Sequence, residues 1–158
     1  MPMRWLVPAN VVRETEAAFR RGRHEVFVLW TAGIDVTAQD LAITRCVVPL
    51  QEAGVGEFGG DFVRVDGDEL ARIAIENAQA KERSVVQLHT HPSTWVGMSP
   101  LDHKWEVLNF EGALSIIVPD YGLREFRSLD GVAVYEHMES DWRRLSLKEA
   151  KRRLRFVS

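Results

Sequence analysis

A chain of 158 residues, 46% hydrophobic and 27% charged, has the balance of one globular domain large enough to bury a core. Its net charge of −3 excludes a general electrostatic pull toward nucleic acid, and its single cysteine, Cys46, excludes an internal disulfide and a cysteine zinc knuckle. No apolar stretch approaches the ~18 residues of a membrane span, and Met1–Asn10 carries one arginine and no apolar core, unlike a signal peptide, so the expected location is the cytoplasm.

In chain order, Asn10–Arg21 reads as an amphipathic helix with Val11, Val12, Ala18 and Phe19 on one face, followed by Gly22. Glu25–Trp30 reads as a buried strand, and Leu41–Leu50 as a second strand paired with it across a turn at 31–40. Cys46 falls in that apolar run and is expected to be a buried thiol. The glycines of Gln51–Gly60 mark a loop, and Phe62–Val65 a short strand. Asp66-Gly-Asp-Glu69 has the form of a capping box, opening a helix to about Lys81 with Leu70, Ile73, Ala74 and Ala78 inward. Ser84–Leu88 is a β-branched apolar run, and Leu114–Val118 is another strand, ended by Pro119. Phe126–Ser128 and Val132–Tyr135 flank Asp130-Gly131, a hairpin signal. These elements predict an α/β fold with a mixed sheet flanked by helices over residues 1–140.

Ser146-Leu-Lys-Glu149 opens a last helix to about Arg155, so 141–158 reads as a basic C-terminal helix. Seven basic residues and one acid lie in Arg143–Arg155. They form either the solvated face of a helix packed through Leu147, Ala150 and Leu154, or a docking surface for an acidic partner or nucleic acid. Trp5 and Trp142 are open to either an interface or a packed reading.

The segment His89-Thr-His91-Pro, followed by Ser99-Pro-Leu-Asp102, carries the chemistry. On a strand, His89 and His91 aim to the same side. Pro92 stops the ladder because it has no N–H to donate. Ser99 before Pro100 suits an N-cap and first helical residue, which sets Asp102 in the first turn. Two imidazoles and a carboxylate are the donor types of a catalytic zinc centre with one open position. Taken alone, Ser-Pro-Leu-Asp is an ordinary helix start, and His-Thr-His an ordinary packed pair. Their order and spacing after an apolar run raise the metal reading.

This pattern resembles the signature of the MPN/JAMM (JAB) zinc metalloproteases, strongly over 88–103 and by element order over about 10–135. The resemblance implies a cytidine-deaminase-like JAB/MPN architecture, with one Zn2+ held by His89, His91 and Asp102. It further implies Glu25 as general base and acid, and Ser99 as a hydrogen-bond donor to the oxyanion. Family members commonly have glycine three residues after the glutamate; here Val28 stands there. Glu52 and Glu57 are rival carboxylates if their loop folds over the site. Trp95 and Met98, between the ligands, are expected to line a substrate groove. The implied activity is cleavage after the C-terminal Gly-Gly of a ubiquitin-like protein, as deconjugation or precursor trimming, and conjugation-pathway enzymes are further expected partners. Alternatives are removal of an adduct from a sulfur-carrier protein, a DNA-repair-associated member of the fold, and a non-catalytic scaffold.

Overall fold

The computed structural model describes residues 4–21, 24–34, 40–55, 61–104 and 106–157. The elements are β1 (Arg4–Val7), α1 (Ala9–Phe19), β2 (Phe27–Gly33), β3 (Asp40–Val47), β4 (Glu52–Val55), β5 (Asp61–Arg64), α2 (Gly67–Ala80) and β6 (Glu82–Thr90). After them come α3 (Pro100–Lys104), β7 (Leu114–Val118), β8 (Ala133–Met138), β9 (Asp141–Arg144), α4 (Leu147–Arg153) and β10 (Leu154–Phe156). Eight strands form one mixed sheet in the order β10-β1-β3-β2-β6-β7-β8-β9, and β4 and β5 form a separate hairpin. The β1–β10, β1–β3 and β6–β7 pairs are parallel, the others antiparallel.

The sheet is covered on both faces, which is why β2 and β7 read as continuous apolar runs. On one face Val28, Trp30, Leu88, Ile116 and Val134 pack with Val11, Val12, Ala18 and Phe19 of α1. On the other, Phe27 and Leu29 pack with Ile73 of α2 and with Leu108. The buried Trp30 indole donates to Thr15 Oγ1 at 2.9 Å, and that hydroxyl donates to Val11 O at 2.7 Å, so these buried polar atoms of the layer are paired. Cys46 lies partly buried beside Thr15, and burial pushes its thiol up to about 11. Trp5 belongs to the core.

The fold differs from the sequence reading in several places. Part of the expected Gln51–Gly60 loop is strand β4. The capping box at Asp66 is not made: Asp66 pairs with Arg64, while Glu69 accepts the Leu50 N–H and the Arg72 guanidinium. Along α2 only Ile73 of the expected inward apolar set is fully buried; Ala74 and Ala78 are exposed. The hairpin at Asp130-Gly131 is not formed. Residues 126–132 are a loop, and β8 turns into β9 at Glu139–Ser140, whose φ values of 52° and 70° suit a primed two-residue turn without glycine.

The C-terminal helix stops at Arg153 instead of continuing to Arg155, and the whole tail is strand–helix–strand. Its two strands close opposite edges of the sheet, β9 on β8 and β10 on β1. The Ser146–Glu149 capping box is made reciprocally. Arg153 is buried and pairs with Glu136 of β8, so part of the basic run is structural rather than solvated. No helix among the described residues is long and apolar enough to cross a membrane.

Candidate metal centre

The centre forms where β6 leaves the sheet. Register pairs Phe27 with His89, and past it the Thr90 N–H donates to Val26 O at 3.1 Å. The Val26 N–H in turn donates to the Thr90 hydroxyl at 2.9 Å. Continuing this antiparallel register sets Glu25 across from His91. Glu25, Phe27, His89 and His91 therefore share one side of the sheet by two-residue alternation. His91 lies one residue beyond β6, yet its N–H still donates to Val118 O at 2.9 Å and its carbonyl accepts from the Tyr121 N–H at 2.8 Å. Pro92 then ends the pairing.

Residues 92–99 fold back over the sheet. Val96 is buried with Ile117, Ala133 and Tyr135, and the Tyr135 hydroxyl donates to Val96 O at 3.2 Å. At the end of this loop Ser99 caps α3: Ser99 Oγ accepts the Asp102 N–H at 3.1 Å, and Asp102 Oδ2 accepts the Ser99 N–H at 2.9 Å. The short aspartate thus performs the reciprocal capping usually made by glutamate, and its carboxylate is held facing the histidines.

Three donor groups meet there. His89 Nε2 and His91 Nε2 are 3.1 Å apart; Asp102 Oδ2 is 3.1 Å from His91 Nε2, and Oδ1 is 3.2 Å from His89 Nε2. Tetrahedral ligands about 2.0–2.1 Å from a zinc ion stand about 3.3 Å from one another. The observed triangle is close to that spacing, so the residues fit a cation of this kind. Both histidines are buried and Asp102 is half-buried, the only such group of three among the described residues.

The electrostatics are those of a coupled cluster. Burial works against ionisation of Asp102, but hydrogen bonds from His89 and His91 outweigh it and hold the carboxyl well below the usual carboxylate range. Burial also opposes the His91 imidazolium, yet the bonded Asp102 raises its pKa. Glu25 is only 4% exposed and its Oε2 has no hydrogen-bond partner. Burial foremost pushes its carboxyl up to about 7; His91 draws it down, and the charges of Asp102 and Asp61 push it up. Its burial and the β2–β6 register set Glu25 on the same side of the sheet as His89 and His91.

Ser99 is the helix cap, and its hydroxyl hydrogen is free to donate elsewhere. Trp95 is 57% exposed and stacks on His91 at 5.4 Å between ring centroids, while its carbonyl stands 3.0 Å from His91 Nδ1. Met98 is half-buried and packs on the Val96 cluster. The rival Glu52 lies on β4, exposed and paired with Arg64, away from the triangle; Glu57 lies outside the described residues.

The sequence reading missed the groups around Glu25. Thr90, the middle residue of His-Thr-His, faces away from the ligands and fixes the chain beside Glu25 through Val26. Gln51 grips the Phe27 N–H at 2.7 Å and donates to Phe27 O at 2.9 Å. Tyr121, with φ of 54°, donates its hydroxyl to Asp61 Oδ2 at 3.1 Å, linking the turn after β7 to β5. Pro119-Asp-Tyr-Gly signalled that turn but not the direction of its tyrosine.

No protein-family model matches the chain, and no curated protein matches it. Among solved structures it is similar to the solution structure of protein DSY2949 from Desulfitobacterium hafniense, with a TM-score of 0.63 at 11% identity, covering 97% of this chain and 92% of that one. At this identity the likeness concerns the fold alone, a mixed α/β fold with its sheet flanked by helices.

Proposed function

We propose that this chain is a zinc-dependent peptidase of the JAMM type, built on the JAB/MPN architecture, which cleaves after the C-terminal Gly-Gly of a ubiquitin-like protein. The observation that carries the reading is the joint placement of the His89–His91–Asp102 triangle and the buried Glu25 carboxylate with its unpartnered Oε2. A zinc ion on the triangle supplies Lewis-acid polarisation of a carbonyl and acidification of a water.

The chain's own groups perform the remaining work. Glu25 takes a proton from the attacking water at its unpaired Oε2 and delivers it to the departing amine. A buried carboxylate with a free oxygen beside the triangle suits both transfers. Ser99 donates its free hydroxyl hydrogen to the carbonyl oxygen as negative charge grows there. Asp102, capped by the Ser99 N–H, keeps two oxygens toward the ligand nitrogens. Trp95 holds His91 in orientation from both its carbonyl and its ring, and its outer face offers an apolar wall to an extended tail. The Gly-Gly specificity comes from the family resemblance.

The test is cleavage of a panel of ubiquitin-like proteins carrying C-terminal extensions, including a sulfur-carrier protein with a single-residue adduct. Cutting after Gly-Gly is expected from zinc-loaded wild type and is lost with a chelator and in Glu25→Ala, which keeps its zinc. Cutting that survives both controls refutes the mechanism, and cutting of the adduct alone reassigns the substrate.

A further inference from the structure

We infer that Glu106 is a positioning residue for His89: its carboxylate takes the outer imidazole N–H of His89 through one water in the cavity that both line. The inference rests on the metal-centre reading above.

It starts from an asymmetry between the two histidines. His91 has its outer nitrogen on Trp95 O, 3.0 Å away. His89 turns Nε2 to His91 and Asp102, and no group among the described residues bonds its Nδ1. That nitrogen is not among the buried polar atoms lacking a partner, so it is open to water. With Nε2 free to ligate, Nδ1 must carry the proton, and a ligating histidine nearly always gives that proton to a fixed acceptor.

The acceptor is found by elimination. His89 lines a small cavity with Phe27, Gln87, Leu101, Asp102 and Glu106. It leaves about 10 Å³ for the centre of a water molecule, roughly what one water needs. Gln87 is committed: its Oε1 accepts the Val107 and Leu108 N–H groups at 3.3 and 3.0 Å, and its Nε2 donates to Ser115 at 3.2 Å. Asp102 is committed to the ligand nitrogens and the Ser99 N–H. Among the described side chains that line the cavity, Glu106 keeps a spare oxygen. Its Oε2 accepts the Trp142 indole N–H at 2.6 Å, leaving Oε1.

Glu106 is also held in place from the strand that carries the ligand. Gln87 is two residues before His89 on the same side of β6 and grips the segment just after Glu106. Trp142 comes from β9 and packs edge-on against His137 at 5.0 Å, so the C-terminal hairpin fixes the other oxygen. A carboxylate so placed sets the imidazole's orientation and raises its basicity toward a cation.

Zinc affinity, read by competition with a chromophoric chelator, tests this without any substrate. Glu106→Ala is expected to bind zinc about 10–100-fold more weakly. Glu106→Gln keeps an oxygen for Trp142 and the same shape, so its metal-free melting temperature stays at the wild-type value while its zinc affinity still falls. The His89 Nδ1–H proton resonance of the zinc-loaded protein moves in the Gln variant. Unchanged zinc affinity in Glu106→Gln overturns the inference, as does an affinity loss matched by a loss of metal-free stability. Wild type that binds no zinc removes the metal reading and this inference together. Wild type that binds zinc but cleaves nothing removes the substrate reading and leaves this one to stand or fall on the affinities.

Discussion

Glu25→Gln separates the role of this carboxyl from its effect on folding. In the metal-free protein burial raises the Glu25 carboxyl from an ordinary 4.5 to about 7. The folded state therefore binds more protons than the unfolded chain between those pH values, and stability falls as pH rises through that window. At 1.36 kcal/mol for each tenfold change in acidity, the ionised carboxylate costs the metal-free fold about 3 kcal/mol at pH 8. The Gln variant cannot ionise, so its urea stability should lack most of this decline, leaving only the smaller contribution of His91. Comparison at pH 4 isolates the cost of the amide itself, since the carboxyl is then largely neutral in both states. The same variant should keep its zinc and lose cleavage. A decline of equal size in wild type and Gln variant between pH 4.5 and 8 would refute the claim that Glu25 is a desolvated carboxyl at this centre.

Other changes probe the parts around it. Zinc at about 100 times its Kd should stabilise wild type by about 2.7 kcal/mol in thermal unfolding and leave Asp102→Ala unmoved; equal stabilisation of both would exclude Asp102 as a ligand. Thr90→Val removes the hydroxyl that accepts the buried Val26 N–H and should cost about 1–3 kcal/mol in urea denaturation, with Thr90→Ser close to wild type. A Cβ at Gly97 would stand 2.6 Å from Trp95 Cζ2, so Gly97→Ala should push the exposed indole off His91. It is expected to raise KM for the ubiquitin-like substrate more than it lowers kcat, and an unchanged KM would remove Trp95 from the groove. Arg153→Met leaves the Glu136 carboxylate without its buried partner and should destabilise the fold by about 3–5 kcal/mol, with early proteolytic loss of the C-terminal strand.

Short-range information was legible in the chain. The strand runs 27–30, 84–88 and 114–118, helix α1 and the Ser146–Glu149 cap follow from periodicity and side-chain chemistry within a few residues. The clustering of His89, His91 and Asp102 was legible for the same reason: one strand end, one proline and one helix cap set all three within fourteen positions. Glu25 was singled out by the family resemblance alone, not by any local pattern. What makes Glu25 part of the centre is the β2–β6 register, and register is decided by packing on both faces of the sheet; a one-residue slip would turn Glu25 away.

The errors share that cause. Asp130-Gly131 has the composition of a hairpin turn, but the closing strand β9 pairs after Glu139–Ser140, where no glycine or asparagine announces a primed turn. Asp66 and Glu69 have cap spacing, yet Leu50 and Arg72 from outside that box take the glutamate. Local chemistry by itself determined which residues could gather around a metal ion and where the apolar strand runs lie. Tertiary structure decided which carboxylate faces the ligands, which basic residue is buried and what orients each imidazole, because those partners are far apart in sequence and only the closed sheet brings them within bonding distance.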